Sequence, residues 1–232
     1  MRRRVVITGM GVITPLGDKP ASLFAAQLAG KSAVGPITRF DARTFPTTFA
    51  AEVADFDLAR YVGPSKRWAD AGVASQFAAA ATQMALADAG LLHTAGLDRN
   101  RAGIYLGVGE GTQDFDTVIG LAARSYRPEQ QTMDAPTLSR HAVHDYNPVR
   151  EYEQELHTAT AHLAEHFRLE GPNYSCLTAC AAGTQAIGEA TDLIRHDEAD
   201  VMLAGGAHSM VHPFGVTGFN LLTALSTRNE SP

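Results

Sequence analysis

The chain has 232 residues, 45% hydrophobic and 19% charged, enough for one compact domain with a sizeable core. Its formal net charge is −6 and no Lys/Arg block is longer than the opening "MRRR", so nothing in the composition points to nucleic acid. The apolar run that follows, "VVITGMGVITPLG", is too short and too broken by Gly and Pro to span a bilayer. No small-x-small site closes it as a signal peptide, so a soluble, cytoplasmic protein is expected.

In chain order, "RRVVITGMGV" (3–12) reads as a buried strand, β-branched and then Gly. "DKPASLFAAQLAG" (18–30) reads as a helix, with Asp18 as a possible cap, Pro20 in the first turn and Gly30 past the end. Residues 37–57 are irregular around a strand-like "FAAEV". The longest helical stretch is 65–91. Val73, Phe77, Ala80 or Ala81, Met84 and Ala87 recur there at helical spacing, and Gly90 ends it.

"RAGIYLGVGEG" (101–111) reads as a second buried strand running into a glycine-rich loop. Residues 112–150 look less regular. Residues 149–171 look helical, with Gly171-Pro172 as a stop. Strand 173–179, helix 181–196, strand 201–210 and a final stretch "HPFGVTGFNLLTALSTRNESP" follow. Apolar strands alternating with helices argue for a parallel-rich sheet covered on both faces.

The two cysteines, Cys176 and Cys180, form no disulfide framework. Across an extended 173–179 their Cα atoms would lie about 13 Å apart, at ~3.3 Å per residue. A disulfide needs roughly 7 Å or less. The C-x-x-x-C spacing is not that of a redox pair, so two free thiols in a reducing compartment are expected.

Cys180 follows a strand-like run and opens a helix, among Ala179, Ala181, Ala182 and Gly183. A sharp strand-to-helix turn needs small neighbours, and this is the physical logic of a nucleophile elbow without its G-x-S-x-G pattern. The helix N-terminus favours the thiolate, and its unpaired N–H groups can stabilise an oxyanion on an attached acyl group. The bland alternative is a small buried hydrophobe, and for Cys176, inside the strand, core packing is the preferred reading.

Several stretches together carry a resemblance. They are "RRVVITGMGVITPLG", "ITRFDARTFPTTFAAEVADFD", "ALADAGL", "GPNYSCLTACAAGTQAIGEATDLIRHDEADVMLAGGAHS" and "GFNLLTALSTRNESP". From residue 2 to 232 the chain resembles the N-terminal half of a β-ketoacyl-acyl carrier protein synthase, an elongating condensing enzyme of the thiolase-like family.

The resemblance implies a layered thiolase-like α/β fold over residues 1–232, N-terminal half only, a mixed sheet with helices on both faces. It implies that Cys180 accepts an acyl chain from acyl carrier protein, its backbone N–H forming part of an oxyanion hole. Malonyl-carrier protein would then lose CO2 and extend the chain by two carbons, in fatty acid or polyketide biosynthesis. It implies no cofactor and no metal, and a homodimer or hetero-oligomer.

The family's two active-site histidines, its lysine and a second oxyanion donor belong to a C-terminal half beyond residue 232. The isolated chain is therefore expected to show little condensation and to expose an apolar face, and a non-catalytic fragment or partner subunit is the alternative reading. Residues 112–160 are longer and more charged than the family segment that serves the dimer and the acyl pocket. His208 and His212 match no family site residue.

Two other patterns compete. "HLAEH" (162–166) fits an inverted zincin, with His162 and His166 one turn apart and Glu170, Glu189 or Glu198 as nominal third ligands; a solvated helix face is the plainer reading. "GMGVIT" and "GVGEGT" carry Thr14 and Thr112 where a dinucleotide fingerprint needs its last Gly.

Overall fold

The computed structural model describes residues 3–111 and 114–231, so Thr112 lies outside the described residues. The chain begins with α1 (Pro20–Leu28), β1 (Val34–Pro36), β2 (Phe49–Ala51), α2 (Ala59–Val62), α3 (Val73–Asp88) and β3 (Ala102–Val108). It continues through α4 (Phe115–Ser125), β4 (Tyr126–Arg127), β5 (Thr132–Met133), α5 (Ala135–Asp145), α6 (Pro148–Tyr152) and α7 (Thr158–Phe167). It closes with β6 (Asn173–Cys176), α8 (Ala182–Arg195), β7 (Val201–Ala207) and α9 (Pro213–Leu221).

The central sheet has the order β6-β3-β7, all parallel. Cys176, Gly107 and Gly206 stand abreast across it. Side chains alternate along a strand. Ala102, Ile104, Leu106 and Val108 enter the core with α3 and α7, where Ala79, Ala80, Ile104 and Leu163 are fully buried. Burying a side chain such as Ile104 or Leu163 stabilises the fold by roughly 1.5–3 kcal/mol each. Gly107 faces the other way, against α8. Helices on both faces of the sheet make the layered α/β fold expected of the sequence. The three described strands of this sheet are parallel, and the antiparallel strand pairs among the described residues are the small ribbons β1-β2 and β4-β5.

The first expected strand does not form. Residues 3–13 pair with no described strand, and the only nearby ladder contact is an isolated bridge between Thr14 and Gly17. The segment lies on α3, where a Cβ on Gly9 or Gly11 would meet the Ala85 or Ala81 carbonyl at 2.3 Å or 1.9 Å. Its other side is open, with Val6 61% and Ile7 80% exposed. A strand needs a hydrogen-bonded neighbour, and β-branched composition does not supply one.

Other boundaries also moved. Lys19, not Asp18, holds the N-cap position of α1; the Asp18 carboxylate instead accepts from the Tyr61 hydroxyl at 2.9 Å. On α3 the buried residues are Ser75, Ala78, Ala79, Ala80, Thr82 and Leu86, and Ala87 is exposed. The described residues 114–150 are not irregular: α4 and α5 pack together around the β4-β5 hairpin, each capped by an Asp, Asp114 or Asp134. The helix expected over 149–171 breaks into α6 and α7, and Arg168 ends α7 at φ +55°. Strands β6 and β7 are shorter than 173–179 and 201–210. Ile187 of α8 is 50% exposed.

An ion cluster closes the amino ends of the strands. Arg101, just before β3, holds Asp200 and Asp197 at 2.7 Å and 2.6 Å, and Arg3 holds the same two carboxylates at 2.7 Å and 2.9 Å. The Arg101 and Arg3 guanidiniums keep the Asp200 carboxyl well below the usual carboxylate range. In return, Asp200 raises Arg101 further above its already basic value.

Candidate active site around Cys180

The chain leaves β3 through α4, α5 and α6 before it reaches α7, which packs on the α3 side of the sheet. It leaves β6 toward α8, on the opposite side. Where neighbouring parallel strands send their chains to opposite faces, a crevice opens beyond their carboxyl ends. Cys180 follows β6 at these carboxyl ends and is exposed there, while Cys176 is half-buried at the end of the strand. Both thiols are free.

The turn into α8 is tight and strained. Thr178 precedes a short 3-10 turn, Ala179–Ala181, and Ala179 sits at φ +50°, in the left-handed region. For a residue with a Cβ that conformation costs on the order of 1–3 kcal/mol, and such strain persists only where the surroundings hold it. Here they do. The Cys176 thiol donates to the Ala182 carbonyl at 3.4 Å, and the Thr178 hydroxyl donates to Gln185 Oε1 at 2.8 Å. Cys180 stands in the first turn, where N–H groups have no intrahelical acceptor.

Glycines seat this turn on the sheet. A Cβ on Gly107 would lie 2.4 Å from the Ala182 carbonyl carbon and 2.5 Å from the Gly183 nitrogen, and one on Gly206 would lie 3.1 Å from the Gly183 Cα. The helix therefore rests backbone on backbone, and its N-terminus points out of the crevice beside Cys180. This arrangement can hold a nucleophilic sulfur and turn amide hydrogens toward a carbonyl oxygen bound to it. These glycines were visible in the sequence as "GVG" and "AGG" at two strand ends. Their matching register was not.

The other sequence candidates lie elsewhere. His162 and His166 are one turn apart on α7, but both rings lean on Trp68, with centroids 5.4 Å and 5.5 Å away. His162 Nε2 meets Glu153 Oε1 at 2.8 Å. Burial, with Arg67 nearby, holds His166 below the ordinary histidine value. Glu170 pairs with Arg168, Glu189 belongs to α8 across the sheet, and Glu198 lies beyond that helix. Among the described residues no three His, Cys, Asp or Glu side chains gather as a metal site, so the zinc reading has no geometry to stand on.

His212 caps α9, its Nδ1 accepting from the Gly215 N–H at 3.2 Å, and burial lowers its proton affinity. A cavity of about 410 Å³, walled by Asp70, Val73, Asp114, Arg150 and Glu153 among others, does not include Cys180 in its lining. No described helix is long and apolar enough to cross a membrane.

A strained turn carrying a free, exposed thiol stands at a strand-to-helix switch of a layered α/β fold. Residues 2–232 match the family described as β-ketoacyl synthase, N-terminal domain, and the chain belongs to that family. It is 38% identical over 237 residues to the 3-oxoacyl-[acyl-carrier-protein] synthase 2 of Coxiella burnetii, covering 100% of this chain and 52% of that relative. The crystal structure of a β-ketoacyl synthase from Burkholderia phymatum superposes with a TM-score of 0.80 at 31% identity, covering 100% of this chain and 53% of that one. A type II polyketide synthase acyl-carrier protein in complex with its ketosynthase, bound to the hexaketide, matches at TM-score 0.72 and 25% identity, over 100% of this chain and 52% of that one. The chain spans about half the length of the curated relatives it matches.

Proposed function

We propose that this chain carries the acyl-accepting half of a 3-oxoacyl-acyl carrier protein synthase, with Cys180 as its nucleophile. The thiolate attacks the carbonyl of an acyl thioester on acyl carrier protein. A sulfur–carbon bond forms, the oxyanion receives the Cys180 N–H, and the tetrahedral intermediate collapses as the carrier thiol leaves with a proton. In the second half-reaction, malonyl-carrier protein loses CO2 and its enolate attacks the Cys180 thioester. The cysteine thiolate is released, together with a 3-oxoacyl-carrier protein two carbons longer, in fatty acid or polyketide synthesis. The single observation that carries this reading is the strained Ala179–Cys180 turn seated on Gly107 and Gly206 at the carboxyl ends of β3 and β6.

The same reading makes acyl carrier protein the partner, the cytoplasm the location, and a homodimer or hetero-oligomer the assembly. Strand β6 supports the assembly: it is one of the two edges of the described sheet, with Asn173 and Tyr174 exposed, and an open edge invites pairing. Residues 112–160, whose described part includes α4, α5 and their hairpin, are assigned to the dimer and acyl-pocket region; exposed Ile119, Tyr126 and Val143 support that.

The test is acylation. The protein is incubated with acyl-acyl carrier protein and, in parallel, with an irreversible cysteine-directed condensing-enzyme inhibitor, and intact mass is read. An adduct at Cys180 but not Cys176, lost in Cys180→Ser, is the expected result. Labelling only at the rate of an ordinary exposed thiol, with no acyl transfer, would leave the chain a non-catalytic partner or fragment.

A further inference from the structure

The cavity of about 410 Å³ is built apart from the nucleophile. Its walls come from the starts of α3 and α4, the end of α6, the loop before α9 and Arg39. It takes no residue from α8 or from the turn that carries Cys180. Its size falls within the roughly 300–1,000 Å³ of small-molecule sites.

Glu153 brings an unfilled hydrogen bond to this cavity. Its side chain is 9% exposed. Oε1 meets His162 Nε2 at 2.8 Å, and Oε2 is buried with no partner. A carboxylate oxygen taken out of water without a donor leaves its desolvation uncompensated.

The other charges of the wall divide in two. Arg150 is engaged with Asp114 at 2.7 Å. Arg39 uses its backbone N–H on Glu52, and among the described residues neither its guanidinium nor the Asp70 carboxylate has a partner. The cavity thus offers an unpaired guanidinium from one segment and carboxylate oxygens short of a donor from two others. Val73, Phe115 and Val211 supply apolar wall, and the Phe115 ring is held against Phe214 with centroids 5.0 Å apart.

We propose that this cavity binds a small zwitterion, an amino acid with an apolar side chain. Its ammonium group donates to Glu153 Oε2 and faces Asp70. Its carboxylate accepts from Arg39, and its side chain lies on Val73, Phe115 and Val211. A plain amine leaves Arg39 without an anion, and a plain carboxylate leaves Glu153 Oε2 without a donor. The three carboxylates are not gathered closely enough for a metal ion, whereas an organic ligand spans the wider space. The site makes no use of Cys180, so its failure leaves the acyl-accepting role untouched.

The test is isothermal titration calorimetry of the protein with leucine, 3-methylbutylamine and 4-methylpentanoate. The three share one branched chain; the second lacks the carboxylate and the third lacks the ammonium group. Leucine is expected to bind saturably and about tenfold tighter than either analogue, the scale of one hydrogen bond to a charged group.

Arg39→Gln, at an exposed position, is expected to weaken leucine to the level of 3-methylbutylamine and to leave the amine no weaker. Glu153→Gln, which keeps the side-chain shape, weakens leucine to the level of 4-methylpentanoate. Leucine no tighter than one of its analogues overturns the zwitterion. Leucine binding unchanged in Arg39→Gln overturns the site. No saturable heat from any of the three ligands means that water alone completes Glu153, and overturns the proposal outright.

Discussion

The Cys176 thiol donates to the Ala182 carbonyl at 3.4 Å, and so ties the end of β6 to the first residue of the helix after Cys180. The two cysteines therefore have separate roles, one holding the turn and one carried on it. A thiol is a weak donor. Cys176→Ala is expected to lower stability by about 1 kcal/mol and leave Cys180 acylation within a few-fold of wild type, whereas Cys180→Ser abolishes it. Urea melts and intact-mass kinetics on the two variants separate these roles; equal loss of acylation in both would contradict the division.

Gly107 admits no side chain. Its Cβ would fall 2.4 Å from backbone of α8, and backbone cannot swing aside as a flexible side chain can. Gly107→Ala is expected to cost roughly 3 kcal/mol, at the upper end for overpacking, and to slow Cys180 acylation tenfold or more as the turn shifts. Gly206→Ala, with its nearest contact at 3.1 Å, is the milder change. Thermal melts and acylation rates should rank the two in that order.

The ion cluster at the strand starts predicts an acid dependence. The folded Asp200 carboxyl ionises well below its ordinary value of 3.8, because Arg101 and Arg3 hold the carboxylate. Its contribution is thus complete above the unfolded value and is lost as pH falls below about 3.8 toward the folded value. Asp200→Asn should lower stability at pH 7 and flatten the stability curve between pH 4 and pH 2. Denaturant melts across that range read the slope; a curve as steep as wild type would exclude Asp200 as a source of it.

His166 works at higher pH. Half-buried against Trp68 and Phe167 with Arg67 nearby, it takes up a proton less readily folded than unfolded, where its ordinary value is 6.5. Stability from this site is complete above about pH 6.5 and declines on acidification below it, since the unfolded chain binds the proton first. His166→Phe should remove that decline between pH 7 and pH 5. An unchanged slope in this variant would place the decline elsewhere.

Ile7 and Ile104 sit in two runs that look alike in sequence, and the structure separates them. Ile104 is fully buried and Ile7 is 80% exposed. Ile104→Ala is expected to cost about 2–5 kcal/mol, and Ile7→Ala under about 1 kcal/mol. Equilibrium unfolding of both variants tests whether residues 3–12 behave as core strand or as an extended segment laid on α3.

Local chemistry was readable directly from the sequence. Apolar strands alternating with helices dictated an α/β layering, because each periodicity is set by neighbours a few residues away. The "TACAAG" stretch marked a turn that only small residues can make, with a thiol at a helix start, and the longer motifs marked the family. What depended on distant partners was not readable. The 3–12 run had strand composition but no hydrogen-bonded neighbour. The α4-α5 unit is held by pairing that short-range patterns do not encode, including the Arg124–Asp145 ion pair. Ala179 takes a left-handed φ only because Cys176, Gln185 and the sheet beneath hold the turn around it. His208 meets Glu110 only because β7 and β3 lie in register, ninety-eight residues apart in sequence. Register and burial are set by the whole fold, so only the tertiary structure could bring these partners together.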